Sequence, residues 1–181
     1  MSILKVARMG HPVLRAKARA VDKSELKSPA VQAFIDSMLD TMHEYSGVGL
    51  AAPQVHEGLR LFVAMLDPDG GAEADAIVFV NPEIQVRGDQ VVEGWEGCLS
   101  IPDVRGRVPR AQHIAVSALD RHGKRFELDL KDFPARVVQH ETDHLDGVLF
   151  FDRMRSLESL TYLEEYSRYH TRREDEDDND E

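Results

Sequence analysis

His140 and His144 lie four residues apart in a segment that reads His-Glu-Thr-Asp-His. Residues at this spacing lie on one face of a helix, a single turn apart, so both imidazoles can reach the same metal ion. Glu141 lies beside that face, where a carboxylate can take a proton from a metal-activated water. The pattern therefore favours a helix that carries a metal site over two separate, hydrogen-bonded core histidines.

Apolar periodicity and turn residues predict the elements around this helix. Helices are expected over residues 29–46, 133–146 and 156–170. Asp132 is the predicted N-cap of the second helix, and Gly147 is its predicted C-terminal stop. The inner face of the last helix is expected to contain Leu157, Leu160, Leu163 and Tyr166. Strands are expected over residues 60–66, 77–86, 113–119 and 125–130, with a turn at 67–71 after the first of them.

The predicted elements form a single α+β domain. No internal repeat and no long linker divides the chain of 181 residues. We expect mostly antiparallel strands packed around the central HExxH-bearing helix, with a C-terminal helix. The catalytic domain is predicted to span residues 1–170, and residues 171–181 are predicted to be an acidic, disordered tail.

Charge and composition exclude several classes of protein. The net charge is −11, but seven of the 33 acids lie in residues 174–181, which leaves 26 acids against 22 bases, or −4, for the rest. An acidic body argues against nucleic-acid binding. No apolar run approaches the ~18 residues of a membrane span. A single cysteine cannot form an intramolecular disulfide, so a cytoplasmic protein is expected.

A catalytic metal site of this kind needs a third protein ligand, and the sequence offers several candidates. The extended HExxHxxGxxH pattern fails because Phe150 stands where the last histidine belongs. Glu164 or Glu165 could supply a carboxylate from a following helix, although both lie among charges typical of a surface. The third candidate is the only cysteine, Cys98, which in other proteins is most often a small buried hydrophobe. A thiolate with two imidazoles would leave the fourth position open, as catalytic sites do.

Residues 47–54 read GVGLAAPQ and contain a GxGxxA pattern like that of dinucleotide-binding loops. Those loops follow a strand and open a helix, whereas residues 47–54 follow a predicted helix and include Pro53. We therefore interpret them as a backbone edge with which a peptide can pair, followed by Gln54 directed into a cleft.

Three segments together resemble the signature motifs of the peptide deformylase family. They are GVGLAAPQ at 47–54, EGCLS at 96–100 and QHETDH at 139–144. Their order, their spacing and the chain length are also similar, and the resemblance covers roughly residues 3–165. The C-terminal helix resembles that of the bacterial type 1 enzymes, whereas the acidic tail after His170 is not part of the family pattern.

The resemblance implies roles for individual residues. Cys98, His140 and His144 would bind the metal, and Glu141 would act as general base and acid. Gln54 and the backbone N–H of Leu99 would stabilise the oxyanion. The residues implied to contact the substrate peptide and its methionine side chain are Val48, Gly49, Leu99, Val137 and Phe133.

The resemblance also implies a reaction and its partners. The substrate would be the N-formyl-methionine of newly synthesised polypeptides, and attack by metal-activated water would release formate. One divalent metal ion per chain is expected, with Fe(2+) favoured and Zn(2+), Ni(2+) or Co(2+) as alternatives. Transient proximity to the ribosome is expected without direct nucleic-acid binding, because an acidic tail would be repelled by ribosomal RNA.

Two rival interpretations remain. One is a metallopeptidase that uses Glu164 or Glu165 and cleaves internal peptide bonds. The other is a non-catalytic peptide-binding module with a structural metal, for which Glu141 would have no purpose. Neither accounts for the glycine loop at 47–54 and the Cys98 segment at once.

Overall fold

The structure is a computed structural model that describes residues 2–67 and 76–171. Over this part of the chain the α-helices are α1 (Lys23–Leu26), α2 (Pro29–Glu44), α3 (Asp132–Leu145), α4 (Phe150–Arg153) and α5 (Leu163–Tyr169), and two short 3-10 helices span Pro12–Arg15 and Ala52–Val55. The strands are β1 (Gly49–Ala51), β2 (Leu61–Ala64), β3 (Ile77–Val86), β4 (Val91–Cys98), β5 (Ile101–Ala111), β6 (His113–Leu119), β7 (Arg125–Lys131) and β8 (Thr161–Tyr162). The predicted turn at 67–71 lies, beyond Asp67, outside the described residues, as do residues 172–181 of the predicted tail.

The main sheet has the strand order β1-β2-β3-β6-β7, with every neighbouring pair antiparallel. The residues of strand β2 show how the two faces of this sheet are covered. Leu61 and Val63 join a core cluster with residues of α2, whereas Phe62 and Ala64 join a cluster with residues of α3. Because successive side chains of a strand point to opposite faces, a helix on each face makes β2 a continuous apolar run.

A smaller sheet, ordered β4-β5-β8, holds Cys98. Strands β4 and β5 form a hairpin in which Cys98 pairs with Ile101, so Leu99 and Ser100 make the turn between them. The register shifts between Glu96 and Cys98, which is the signature of a β-bulge. The sequence predicted only an extended segment at Cys98 and missed both strands of this hairpin.

The helix with the two histidines is confirmed to within one residue at each end. It begins at Asp132, and Gly147 follows it with a φ of 74° in the left-handed region. The predicted N-cap is wrong: Lys131 precedes the helix, and the Asp132 carboxylate accepts a hydrogen bond from Gln112 Nε2 at 2.9 Å. Because its carboxylate is bound to the Gln112 side chain, Asp132 does not cap the helix.

The C-terminal helix is shorter than predicted, because α5 begins only at Leu163. Thr161 and Tyr162 instead pair with Arg105 and Val104 on the edge of β5. Leu157, predicted on the inner face, is 66% exposed. The open edge of β5 offers backbone hydrogen bonds that a longer helix could not use.

The described residues confirm a single α+β domain of antiparallel sheets around α3, closed by a C-terminal helix. Within them, no helix is both long enough and apolar enough to cross a membrane.

Candidate metal centre and active site

The hairpin of β4 and β5 brings Cys98 to the helix that carries the two histidines. The candidate ligand atoms of Cys98, His140 and His144 all lie within 4.8 Å of one another, and all three residues are buried or nearly so. Cys98 Sγ lies 3.3 Å from His144 Nε2. A sulfur and two imidazole nitrogens at these separations can surround one divalent ion and leave a fourth position open.

A buried carboxylate fixes the orientation of one imidazole. His140 Nδ1 donates a hydrogen bond to Glu96 Oε2 at 2.9 Å, which leaves Nε2 to face the ligand cluster. Glu96 also accepts hydrogen bonds from Arg110 and Arg136. Although burial opposes ionisation, the hydrogen bonds from His140 and Arg110 hold the pKa of Glu96 far below its ordinary value. Glu96 therefore stays a carboxylate and stays bound to His140.

The same charge network extends along α3. Arg110 makes ion pairs with both Glu96 and Asp143, and Asp143 also accepts a hydrogen bond from Arg153 at 2.7 Å. Because Arg110 belongs to β5 and Asp143 to α3, these contacts attach the hairpin to the helix next to the candidate ligand His144.

The electrostatic setting of Cys98 favours the thiolate. Burial raises the pKa of the thiol, but His144 and His140 lower it by more, so the pKa lies well below the ordinary value. Because the thiolate is the form that binds metals, this setting suits a metal ligand.

Glu141 lies next to this cluster in a nearly closed environment. It is 4% exposed, and its Oε2 is a buried acceptor without a hydrogen-bond partner among the described residues. Burial raises the pKa of Glu141 to about 7, against an opposing effect of His140 and His144. A buried, unpartnered acceptor beside a thiolate–imidazole donor set fits a divalent ion with a water molecule, since that water can donate to the carboxylate.

Gln54 presents its amide nitrogen to the same space. Its Oε1 accepts a hydrogen bond from the backbone N–H of Ala51 at 2.8 Å. The amide nitrogen therefore faces the other way, toward Cys98 Sγ and Ser100 Oγ, each at 3.4 Å. Gln54 is fully buried, so this donor is held in place and excluded from bulk water.

The cluster forms the floor of a cleft of about 750 Å³. Of the residues predicted for the site, His144 alone does not line this cleft; it is fully buried next to Cys98. The others line it and are Val48, Gly49, Gln54, Cys98, Leu99, Phe133, Val137, His140 and Glu141. Val137 is buried, whereas Val48 and Phe133 are exposed at the rim.

The cleft also contains residues that the sequence did not predict for the site. Arg136 reaches it from α3, and Leu163 reaches it from the start of α5. Trp95 lines it from β4 and contacts Tyr166 of α5, with ring centroids 5.0 Å apart. The aromatic and apolar residues of the last predicted helix indicated that this helix packs against another part of the protein. They could not identify Trp95 as the contact, because it lies about 70 residues earlier in the chain.

The alternative third ligands do not reach the site. Glu164 and Glu165 lie on α5, where both form ion pairs with Arg168. Phe150 is buried, and its ring centroid is 6.4 Å from that of His140. In the described part of the chain, the group of neighbouring side chains that could hold a metal ion consists of Cys98, His140 and His144.

Gly49 lies so close to Glu141 that only a glycine fits. A Cβ built on Gly49 would lie 2.7 Å from Glu141 Cδ and 2.8 Å from Cγ, closer than real contacts allow. The edge strand β1 thus passes directly over the carboxylate, and a peptide paired with that edge would be held next to Glu141.

We expect Gly49→Ala to lower kcat about 100-fold, because the new methyl group would displace the Glu141 carboxylate by about 1 Å. The matched control is Gly58→Ala, since a Cβ at Gly58 meets nothing within 4 Å. Steady-state kinetics on the two purified variants provide the measurement. Equal activity of both variants would show that the position of Glu141 is not critical.

Three candidate ligand atoms that could surround an ion and leave a fourth position open, with a buried carboxylate and an amide donor beside them, are the arrangement of a metal-dependent hydrolase. The family model of polypeptide deformylase matches residues 3–160 of the chain. This match covers most of the chain, and the protein therefore belongs to the polypeptide deformylase family.

Individual relatives agree with this assignment. The chain is 41% identical to peptide deformylase 2 of Nostoc sp. over 174 residues, covering 94% of this chain and 96% of that one. It is 42% identical to peptide deformylase 1 of Bordetella pertussis over 164 residues, covering 88% and 92%. Among solved structures, the Met-Ala-Ser-bound class I type b peptide deformylase from Acinetobacter baumannii is 42% identical with a TM-score of 0.79. That match covers 85% of this chain and all of the other.

Proposed function

We propose that the protein removes the N-formyl group from the N-terminal formyl-methionine of newly made polypeptides and releases formate. The observation that carries the proposal is the floor of the cleft. There the Cys98–His140–His144 cluster, the Glu141 carboxylate and the Gln54 amide converge beneath the edge strand β1. The relative from Acinetobacter baumannii was crystallised with Met-Ala-Ser, a peptide that begins with methionine.

The metal site and its chemistry follow from the donor set. Cys98, His140 and His144 would hold one divalent ion, which would polarise the formyl oxygen and lower the pKa of a water from ~16 toward ~7. Iron(II) is the proposed native metal, with zinc, nickel or cobalt able to take its place. A thiolate ligand is softer and more electron-donating than a carboxylate and favours such borderline metals.

The residues around the ion have distinct tasks. Glu141 accepts a proton from the attacking water and later delivers it to the departing amine. Gln54 Nε2 and the Leu99 backbone N–H donate to the formyl oxygen as negative charge develops on it, and each such donor contributes about 3 kcal/mol. Because the side-chain oxygen of Gln54 already accepts a hydrogen bond from the Ala51 N–H, the side-chain amide does not have to reorganise during the reaction.

The cleft also supports the choice of substrate. The edge of Val48 and Gly49 would pair with the peptide backbone, and Leu99, Val137 and Phe133 would surround the methionine side chain. A formyl carbon bears only a hydrogen, so a narrow cleft floor can admit it. An acetyl group carries a methyl group in place of that hydrogen, and such a floor would exclude it.

We place the catalytic domain at residues 1–170 and assign residues 171–181 to an acidic tail. We also propose that the protein acts in the cytoplasm, close to ribosomes, because the formylated chains proposed as its substrate are made there. The charge of the tail argues against tight binding to ribosomal RNA.

The proposal is tested by measuring formate release from formyl-Met-Ala-Ser and from its acetylated counterpart, with protein purified without oxygen. We expect formyl substrate to be hydrolysed at least ~100-fold faster than acetyl substrate, and metal analysis to find about one ion per chain. Iron-loaded protein should lose activity in air faster than nickel-loaded protein, because Fe(II) beside a thiolate is prone to oxidation. No formate from either peptide would refute the proposed function, and equal air stability of both metal forms would count against iron.

A further inference from the structure

Three cationic side chains line the cleft without a carboxylate partner in residues 2–67 and 76–171. They are Lys5, Arg8 and Arg105, none of which forms an ion pair there. The fourth cation of the cleft, Arg136, is already paired with Glu96. Three of the four cations that line the cleft thus have no ion-pair partner among the described residues.

Arg105 is the most constrained of these cations. It is half-buried, and its guanidinium lies over the backbone of Gly97, where a Cβ would come within 2.8 Å of Nε and closer still to the rest of the group. Its hydrogen bond in the described structure goes from NH1 to the carbonyl of Val104 at 3.1 Å. A partly desolvated guanidinium without a carboxylate is costly, which points to an anion that arrives with a ligand.

The burial of the cleft residues sets the direction of a bound substrate. Cys98, Gln54 and Glu141 are buried at the floor, whereas Lys5 and Arg8 are exposed at the rim. Because the formyl group must reach the floor, the residues that follow methionine leave past the rim. Lys5 and Arg8 lie at that rim, where the downstream residues of the peptide can meet them.

The N-terminal segment is held firmly in this position. The Ala7 N–H donates a hydrogen bond to the backbone carbonyl of Gln54 at 2.7 Å, and the Met9 N–H donates to the backbone carbonyl of Ser100 at 2.8 Å. Arg8 lies between these two anchors, so its side chain starts from a fixed backbone beside the catalytic floor. One acid of the rim opposes the three cations, namely the exposed Asp103. The balance at the rim is positive in a protein whose body is acidic.

We infer that this cleft selects nascent chains with acidic side chains shortly after the formyl-methionine, through Lys5, Arg8 and Arg105. This inference rests on the proposed function and specifies its substrate class. The anion is a side-chain carboxylate, because the carboxyl end of a growing chain is not free. Attraction of this kind acts mainly on KM and weakens as salt screens the exposed charges.

The test uses the full-length metal-loaded protein and two peptides with amidated C-termini, formyl-Met-Ala-Glu-Glu and formyl-Met-Ala-Gln-Gln. Glutamate and glutamine have nearly the same shape, so the pair isolates charge. We expect kcat/KM to be about fivefold higher for the glutamate peptide at low salt, which is the upper range for an exposed ion pair, with the difference mostly in KM. The preference should shrink toward unity in 0.5 M salt.

Variants assign the effect to the three cations. Arg8→Gln and Arg105→Gln should each reduce the preference, and the triple variant with Lys5→Gln should abolish it while glutamine-peptide turnover continues. The control is Arg107→Gln, an exposed arginine of β5 that does not line the cleft. Equal kcat/KM for both peptides in the unmodified protein, or a preference that survives in the triple variant, would overturn the inference. Failure of the proposed function is a separate outcome, in which neither peptide releases formate.

Discussion

Replacing Glu141 with glutamine is expected to reduce formate release by about 10³-fold or more, with metal content unchanged at one ion per chain. Glutamine keeps the shape of the side chain but cannot accept the proton of the attacking water. The carboxylate is buried, its Oε2 lacks a partner in the described structure, and burial raises its pKa to about 7, near the value at which a group both takes and gives protons. Glu141 contributes no ligand atom to the candidate metal cluster, so metal binding should survive.

Two control variants distinguish this role from a general loss of charge. Glu164→Gln and Glu165→Gln remove carboxylates of α5 that are paired with Arg168. Both should retain full activity, and a large loss in either would revive the carboxylate-ligand interpretation. Near-normal turnover of Glu141→Gln would remove Glu141 from the reaction.

Cys98→Ala is expected to lower both bound metal and activity, by more than the ~10–100-fold that loss of an outer-shell partner typically costs. The thiolate is one of three candidate ligands, and no other cysteine in the chain can replace it. The alanine variant should remain folded, because Cys98 lies at the edge of a core cluster that keeps Ile101, Val108 and Phe150. Metal analysis after dialysis, with circular dichroism to confirm folding, gives the measurement.

A thiol titration of the unmodified protein provides an independent check. If the thiolate binds the ion, a thiol reagent should react slowly with the metal-loaded protein and rapidly after chelation. Cys98→Ser is the matched variant, since a hydroxyl of similar size is a poorer ligand than a thiolate for these borderline metals. An unchanged metal stoichiometry in Cys98→Ala would show that the cysteine is not a ligand.

The elements that the sequence predicted well are those whose signal is local. The period of α3 and the alternation of β6 and β7 depend on neighbours within one element, and both were predicted to within a residue or two. The HExxH spacing is local in the same sense, because two ligands and a base lie within five residues of one helix. The residues alone left Cys98 as one of several candidate third ligands and directed Gln54 into a cleft, and the family resemblance then implied their roles in the site.

The elements that the sequence missed depend on distant partners. Strands β4 and β5 contain glycines and prolines that lower strand propensity, yet Gly97 is required by the Arg105 guanidinium that lies over it. Residues 161–162 form a strand because the edge of β5 is available. Arg105 itself was not predicted as a site residue, since nothing in its own neighbourhood shows that it faces a cleft.

The attachment of the Cys98 hairpin to α3 through Glu96, Arg110 and Asp143 makes the metal site a property of the assembled fold. Cys98 is separated from His140 by more than 40 residues, so an unfolded chain holds the ligands far apart. An ion that binds the folded chain and not the unfolded one stabilises it in proportion to the logarithm of its free concentration. An ion held by these three candidate ligands would thus act as a reversible crosslink between hairpin and helix, and the supply of metal would change the stability of the protein as well as its activity.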